Sequence, residues 1–215
     1  MKQRIFPALA LFFIFFFPVA ESFAADKVEK VVKKVREKYE KLDDVDIEFV
    51  RTTIWSLADE KYKTDGKLYI SKKNKYRVET TAQTIVTDGI TLWTYSVENN
   101  QVIVNDLDKA EENVLPKEVL LKYTKDSKPE LIGEKEIGGM PCIGIKFTPE
   151  DDDEYISSTI AWVNKKTHLA LKIEQEDINE NITIYELTYH NFNTPHPASL
   201  FEFSIPANVE VIDLR

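Results

Sequence analysis

Residues 85–95 read IVTDGITLWTY, and this stretch decides how the rest of the chain is interpreted. Asp88-Gly89 favours a tight turn, because glycine adopts positive φ easily and an aspartate side chain can hydrogen-bond the backbone that follows it. After the turn, apolar and polar residues alternate over residues 90–97, with Trp93 and Tyr95 on one face. A period of two is typical of a strand with one buried face. The stretch therefore predicts a turn that leads into a β-strand.

The same period recurs on both sides of this stretch. Polar turn signals such as Asn99-Asn100 and Gly138-Gly139 separate the alternating segments. Strands that follow one another across short polar turns form an antiparallel meander. The predicted strands are residues 45–54, 66–71, 75–80, 90–97, 101–107, 142–148, 155–163, 168–177, 181–192 and 200–205.

Two segments have helical spacing instead. Residues 26–42 place valines at three- and four-residue steps, and residues 116–124 begin with a proline, which suits the first position of a helix. We find no repeat or domain boundary and predict one domain, residues 25–215, that is mainly β with two or three short helices. A single sheet of this many strands must curl on itself and enclose an apolar face. Sequence alone leaves open whether that interior is filled or holds a cavity, and which parity faces inward.

Composition narrows the function. The chain has 215 residues with 28 Lys+Arg against 37 Asp+Glu, a formal net charge of -9. This sign disfavours nucleic acid and anionic lipid surfaces as partners. Cys142 is the single cysteine, and it lies in an apolar stretch that predicts burial. We expect no metal and no cofactor, since there are only three histidines and they are scattered.

No catalytic signature is visible. The chain lacks a nucleophile elbow, a zinc-protease motif, a phosphate loop and a dinucleotide fingerprint. The acidic run at residues 151–154 lacks the alternating ligands of a calcium loop and is interpreted as a solvated turn. His196, between two prolines, is interpreted as a loop residue rather than a base. We therefore predict that the protein is not an enzyme.

The first 24 residues have the layout of a secretory signal peptide. Lys2 and Arg4 precede an apolar run, and Ser22-Phe23-Ala24 supplies small residues for cleavage after Ala24. The alternative is an uncleaved membrane anchor, but the run is shorter than the ~20 apolar residues that a span needs. No cysteine follows the run to carry a lipid. The mature protein is expected to be exported and soluble.

Several motifs, in chain order, resemble the outer-membrane lipoprotein carrier protein (LolA) family. The stretch at 85–95 is similar to the family's Val-Ser-Asp-Gly-x-Thr-Leu-Trp-x-Tyr signature. Other segments resemble its first strand, its Gly-x-Leu-x-Ile strand, the basic aromatic strand after it, and its Phe-x-Phe-x-x-Pro terminal hairpin. These segments are Val45 with Phe49, residues 66–70, Tyr76-Arg77, and residues 200–206 with 209–213.

The resemblance implies an incomplete antiparallel β-barrel with a helical lid over a hydrophobic cavity. It also implies a soluble periplasmic carrier, monomeric, whose cargo is acylated lipoproteins. The implied partners are an inner-membrane lipoprotein-releasing transporter and an outer-membrane receptor. On this basis and on apolar parity, the predicted cavity wall is Val45, Phe49, Tyr69, Val78 and Trp93. The predicted lid contacts are Val31, Val32, Val35, Val119 and Leu120.

One position departs from the family. In its best-studied members, an arginine followed by proline after the Gly-x-Leu strand latches the closed lid. Here the matching residues are Lys72-Lys73. Lys72 is the candidate latch, and it keeps the positive charge without the forked hydrogen bonding of arginine.

Two other functions stay open at this level. The first is a periplasmic sensor or regulator on the same fold that binds a lipid or lipopeptide. The second is an exported enzyme such as a lipid hydrolase, for which no nucleophile and base can be named.

Overall fold

The computed structural model describes residues 20–58, 60–109, 121, 123–151 and 153–215, with side chains from residue 27 onward. A long helix, α1 (Ala20–Glu40), precedes the strands, and a short 3-10 helix (Ala198–Phe201) precedes the last one. The strands are β1 (Val45–Trp55), β2 (Glu60–Ile70), β3 (Tyr76–Thr80), β4 (Gln83–Thr87), β5 (Thr91–Ser96), β6 (Gln101–Asp106), β7 (Ser127–Ile137), β8 (Met140–Pro149), β9 (Ile156–Asn164), β10 (Ala170–Asp177), β11 (Ile182–His190) and β12 (Glu210–Asp213).

Within the described part of the chain, the strands form one 12-stranded sheet in the order β12-β6-β5-β4-β3-β2-β1-β11-β10-β9-β8-β7. Neighbours pair antiparallel except β12, which runs parallel to β6 at one edge. The sheet curls without closing, since β7 and β12 are its two ends. The predicted fold class, an incomplete antiparallel barrel made from one curled sheet with a helical lid, is confirmed.

Helix α1 lies against the concave face of the sheet. Val28, Val32, Val35 and Tyr39 are buried in one cluster with residues from β1, β8 and β9, and Val31 packs against it. The Tyr39 hydroxyl lies 2.7 Å from that of Tyr189 and accepts a hydrogen bond from the Ala170 backbone N–H at 3.1 Å. Arg36 Nε donates to Thr124 Oγ1 at 3.0 Å. These polar contacts give α1 a defined orientation, which apolar packing alone would leave less specific.

The boundaries of the predicted helices differ from those observed. The first was predicted at 26–42 and runs over Ala20–Glu40, so the last residues of the predicted signal peptide are helical. Residues 1–19 of that predicted signal lie outside the described residues. Most of the second predicted helix, including Val119 and Leu120, also lies outside the described residues. Leu121 of this segment is described, and it is helical and buried.

The Asp88-Gly89 turn joins β4 to β5 as predicted. Asp88 Oδ1 accepts hydrogen bonds from the backbone N–H groups of Ile90 and Thr91, at 2.9 and 2.8 Å. Gly89 has a φ of +95°, and a Cβ there would lie 2.3 Å from the Lys73 carbonyl oxygen. Only glycine fits this position, because the neighbouring turn approaches its backbone directly. The most diagnostic stretch of the sequence is thus a structural hairpin.

The predicted strand at 200–205 is wrong. Residues 198–201 form the 3-10 helix, and the extended residues after it pair with no strand. We call residues 196–206 the C-terminal strap. It crosses the convex face of β2 to β5, where Phe201 is buried, Phe203 stacks on Trp93 with ring centroids 6.4 Å apart, and Arg77 Nη1 donates to the Leu200 carbonyl at 3.4 Å. The segment carries aromatics at alternate positions because it packs on a sheet, without joining it.

Candidate functional site

A cavity of about 610 Å³ lies on the concave face, beside the area that α1 covers. Strands β1 to β4 supply one side of it, and β10, β11 and Tyr123 supply the other. Its volume is within the range of small-molecule sites. The described lining residues are Ile47, Phe49, Arg51, Thr64, Leu68, Val78, Thr80, Ala82, Gln83, Ile85, Tyr123, Ile173, Gln175, Tyr185 and Leu187.

Strand register produces a continuous apolar wall. Ile47 on β1 is opposite Leu68 on β2, which is opposite Val78 on β3, which is opposite Ile85 on β4. Residues that face one another across antiparallel strands share a face of the sheet. A row of aliphatic side chains therefore crosses four strands on the face that lines the cavity.

Gly66 makes room for the aromatic part of this wall. The Phe49 ring lies over Gly66, and a Cβ at that position would be 2.5 Å from Phe49 Cζ and 2.6 Å from the Glu79 carbonyl oxygen. Phe49 can therefore lie along the wall of the cavity, because its neighbour on β2 has no side chain.

Polar groups gather at the end of the cavity formed by β1, β10 and β11. Arg51 is opposite Tyr185 in the β1–β11 register, and its positive charge lowers the pKa of that phenol, although burial has the larger effect. Burial raises the pKa of Tyr185 and of Tyr123 above the ordinary value of 10.0, so both phenols are neutral at physiological pH. The amide nitrogen of the buried Gln175 has no hydrogen-bond partner among the described residues.

Two of the five predicted wall residues line this cavity, namely Phe49 and Val78. Val45 is on the same face but fully buried in the cluster under α1. The prediction is wrong for the positions of Tyr69 and Trp93, which lie on the convex face. Tyr69 contacts the His196 ring edge-to-face at 6.1 Å, and Trp93 stacks on Phe203. The strand register explains these positions. Tyr69 is opposite Arg77 and Trp93 is opposite Val86, and all four residues are on the face that the C-terminal strap covers.

The predicted lid residues on α1 pack downward into the core. Val32 and Val35 are buried and Val31 is partly buried against the same cluster. The space that Val35 and Tyr39 border is only about 20 Å³. Helix α1 therefore fills one part of the concave face, and the cavity occupies the part beside it.

Lys72, the predicted latch, lies in the turn between β2 and β3. Its Nζ is 3.6 Å from Asp43 Oδ2, and both side chains are largely exposed. Asp43 lies between α1 and β1, so this ion pair joins the segment after the helix to the turn between β2 and β3. Exposed pairs of this kind contribute about 0–1 kcal/mol. A latching role for Lys72 stays a prediction.

Sequence reasoning missed Arg51 and Gln175, which supply the strongest polar groups of the cavity. Arg51 shares the parity of Ile47 and Phe49, so the alternation of β1 was a usable signal. Gln175 had the same signal, because it continues the parity of Leu171 and Ile173, while charged residues occupy positions 172, 174 and 176.

No helix in the described ranges is both long enough and apolar enough to cross a membrane.

Comparison with known proteins gives the family. An archaeal relative, an uncharacterized protein of Methanocaldococcus jannaschii, is 25% identical over 98% of this chain, which spans 60% of that protein's length. The outer-membrane lipoprotein carrier protein of Francisella tularensis is 24% identical over 94% of both chains. An uncharacterized conserved protein from Thermus thermophilus shares the fold, with a TM-score of 0.58 at 11% identity, over 87% of this chain and 99% of that one. The family model for the outer membrane lipoprotein carrier protein LolA matches residues 40–204, which confirms the resemblance. The chain belongs to the LolA family.

Proposed function

We propose that this protein is a periplasmic carrier that shelters the acyl chains of lipoproteins in the cavity beside α1 and ferries them from the inner to the outer membrane. The observation that carries the proposal is the apolar row from Ile47 to Ile85, which lines a cavity of about 610 Å³ in a member of the LolA family. A relative of nearly the same length is named an outer-membrane lipoprotein carrier protein. The signal-like start of the sequence supports export.

The exposure of the wall suits a carrier that must also release its cargo. Burying hydrocarbon contributes ~0.8 kcal/mol per CH₂, so complete burial of a sixteen-carbon chain would contribute about 12 kcal/mol. A carrier that gained all of this would hold its cargo too tightly to pass it on. Phe49, Val78 and Ile85 are only partly buried, so a chain lying on them keeps part of its surface in water. This partial burial favours transfer.

The partners proposed are acylated lipoproteins, an inner-membrane transporter that releases them, and an outer-membrane receptor. The protein acts as a binding protein without chemistry of its own. Helix α1, with Val31, Val32 and Val35, forms one side of the lid, and Lys72 contributes to holding it.

A release assay tests the proposal. Spheroplasts of the source organism are incubated with the mature chain, residues 25–215, and the supernatant is analysed for acylated proteins bound to it. We expect a soluble one-to-one complex with lipoprotein. Val78→Trp fills the cavity with an indole ring and should reduce release at least tenfold.

Val97→Trp is the matched control, because it adds the same ring at an exposed position after β5, outside the cavity. Release by the control should equal that of the unmodified chain. Absence of any lipoprotein in the supernatant, or equal release by Val78→Trp, would contradict the carrier function. Binding of free lipid without release would favour the sensor.

A further inference from the structure

Among the described residues that line the cavity, Arg51 is the one charged side chain. It is exposed at the cavity end formed by β1 and β11, and its neighbours on that face, Phe49, Thr64 and Tyr185, are neutral. Within the described part of the chain, no carboxylate oxygen lies within 4.0 Å of its guanidinium. A cation without a counter-charge beside an apolar wall favours a ligand that brings an anion.

The groups around Arg51 add hydrogen-bond donors. Arg51 lies close enough to Tyr185 for its positive charge to lower the pKa of that phenol, against the larger effect of burial, which raises it. The neutral Tyr185 hydroxyl can donate a hydrogen bond to a ligand. Gln175 is on β10, diagonally across from Tyr185 on β11. It lines the cavity and is only 7% exposed. Its Nε2 makes no hydrogen bond of normal distance and angle within the described protein, although the side chain lies close enough to Tyr123 to lower the pKa of that phenol. A buried donor without an acceptor is costly, and ligands commonly supply the missing acceptor.

We propose that the cavity holds one acyl chain of its cargo, and that an anionic group at the polar end of this cargo pairs with Arg51 and accepts hydrogen bonds from Tyr185 and Gln175. The chain lies along the row formed by Ile47, Leu68 and Val78. The planar guanidinium matches the two oxygens of a carboxylate and those of a phosphate. The inference rests on the proposed acyl-chain cavity and goes beyond it, because it assigns the charge of the ligand's polar end.

The test compares three twelve-carbon probes that differ in their head group: dodecanoic acid, dodecyl phosphate and dodecanol. Binding to the mature chain is measured by displacement of a fluorescent apolar dye. We expect at least one anionic probe to bind about tenfold more tightly than dodecanol, and the stronger of the two anions identifies the head group. Arg51→Gln should remove this preference, so that neither anionic probe binds the variant more tightly than dodecanol does.

Lys63→Gln is the matched control. Lys63 is on β2, opposite Thr52, so it is close to Arg51 in the sheet but on the other face. The variant loses the same charge and should keep the preference for anions.

Gln175→Leu separates recognition from a structural role. Removal of an unpartnered buried amide should raise the melting temperature of the free protein while weakening the anionic probe several-fold. A purely structural glutamine would lower the melting temperature instead.

The outcomes distinguish the two proposals. Equal binding of all three probes, or an anion preference that survives Arg51→Gln, overturns the head-group inference and leaves the acyl-chain cavity standing. Failure of every probe to bind overturns the cavity itself, and with it the proposed function.

Discussion

Replacing Gly66 with alanine is expected to destabilise the fold and deform the cavity together. The new Cβ would lie 2.5 Å from Phe49 Cζ and 2.6 Å from the Glu79 carbonyl oxygen. The ring can rotate away into the cavity, but the backbone oxygen cannot, so β2 and β3 must also separate locally. Overpacking of this kind costs about 1–3 kcal/mol, and two overlaps at once place the expected loss at about 2–3 kcal/mol.

The loss is measured by urea unfolding and by thermal unfolding. For a chain of this size, each kcal/mol lowers the melting temperature by about 2–4 °C, so we expect a decrease of about 4–12 °C. Binding of an apolar dye should weaken in the same variant, because the displaced Phe49 ring occupies the cavity.

A double-mutant cycle with Phe49→Leu assigns the cause. If the ring overlap contributes, the two substitutions together should cost at least 1 kcal/mol less than the sum of the single costs. Strictly additive costs, or a Gly66→Ala loss below about 0.5 kcal/mol, would refute the account of why this position is glycine.

Three further predictions concern other parts of the fold. His196→Leu should lower the free energy of unfolding, measured in urea, by about 2–3 kcal/mol. The reason is that the His196 side chain is nearly buried and its Nε2 lies 2.5 Å from Asp46 Oδ1. If His196→Gln lowers the stability by as much as His196→Leu does, this explanation is contradicted. Burial raises the pKa of Tyr76 from 10.0 to about 12, so its contribution to stability is complete below pH 10 and is lost as the pH rises toward 12. Tyr76→Phe should therefore flatten the dependence of the urea midpoint on pH above 10, and an unchanged slope would count against it. Cys142 is 1% exposed, and burial raises the pKa of its thiol. A thiol reagent should therefore label Cys142 only as fast as the protein unfolds. Rapid labelling of the native protein would contradict the burial of this side chain.

The alternation of apolar residues was enough to predict most of the sheet. Strands β1, β5 and β6 lie within about two residues of their predicted bounds, because each has one face against the interior and a turn signal at its end. The helical spacing of the valines in α1 was equally informative, since the same residues pack on the concave face.

The strands that were missed have weak patterns for a physical reason. Strand β7 pairs only with β8 at the sheet edge, so most of its side chains are exposed and its two faces show little contrast. The first half of β2, residues 60–65, is an exposed extension of the hairpin with β1. Strand β4 has only five residues.

The side of the sheet that forms the cavity could not be predicted from single strands. Strand β5 is apolar on both faces, because Leu92 faces the interior and Trp93 faces the C-terminal strap. Large apolar side chains therefore occur on the face covered by the C-terminal strap as well as on the cavity face, and they do not distinguish the two faces. Since residues 200–205 were predicted as a strand, nothing in the pattern indicated a cover on the convex side.

The position of the cavity relative to α1 limits how affinity can grow with ligand length. Tyr123 and Ile173 border both the cavity of about 610 Å³ and the nearly filled space of about 20 Å³ under α1. A short chain can occupy the larger space without moving the helix. A longer chain that extends toward α1 must displace Tyr123 or the helix, and the protein then loses packing that Val35 and Tyr39 contribute. Each added CH₂ beyond that length gains less than ~0.8 kcal/mol, because part of the gain offsets the lost core contacts. The same contacts that stabilise the empty protein therefore oppose the tightest binding. This opposition is what the proposed carrier function requires, because a carrier must also release its cargo.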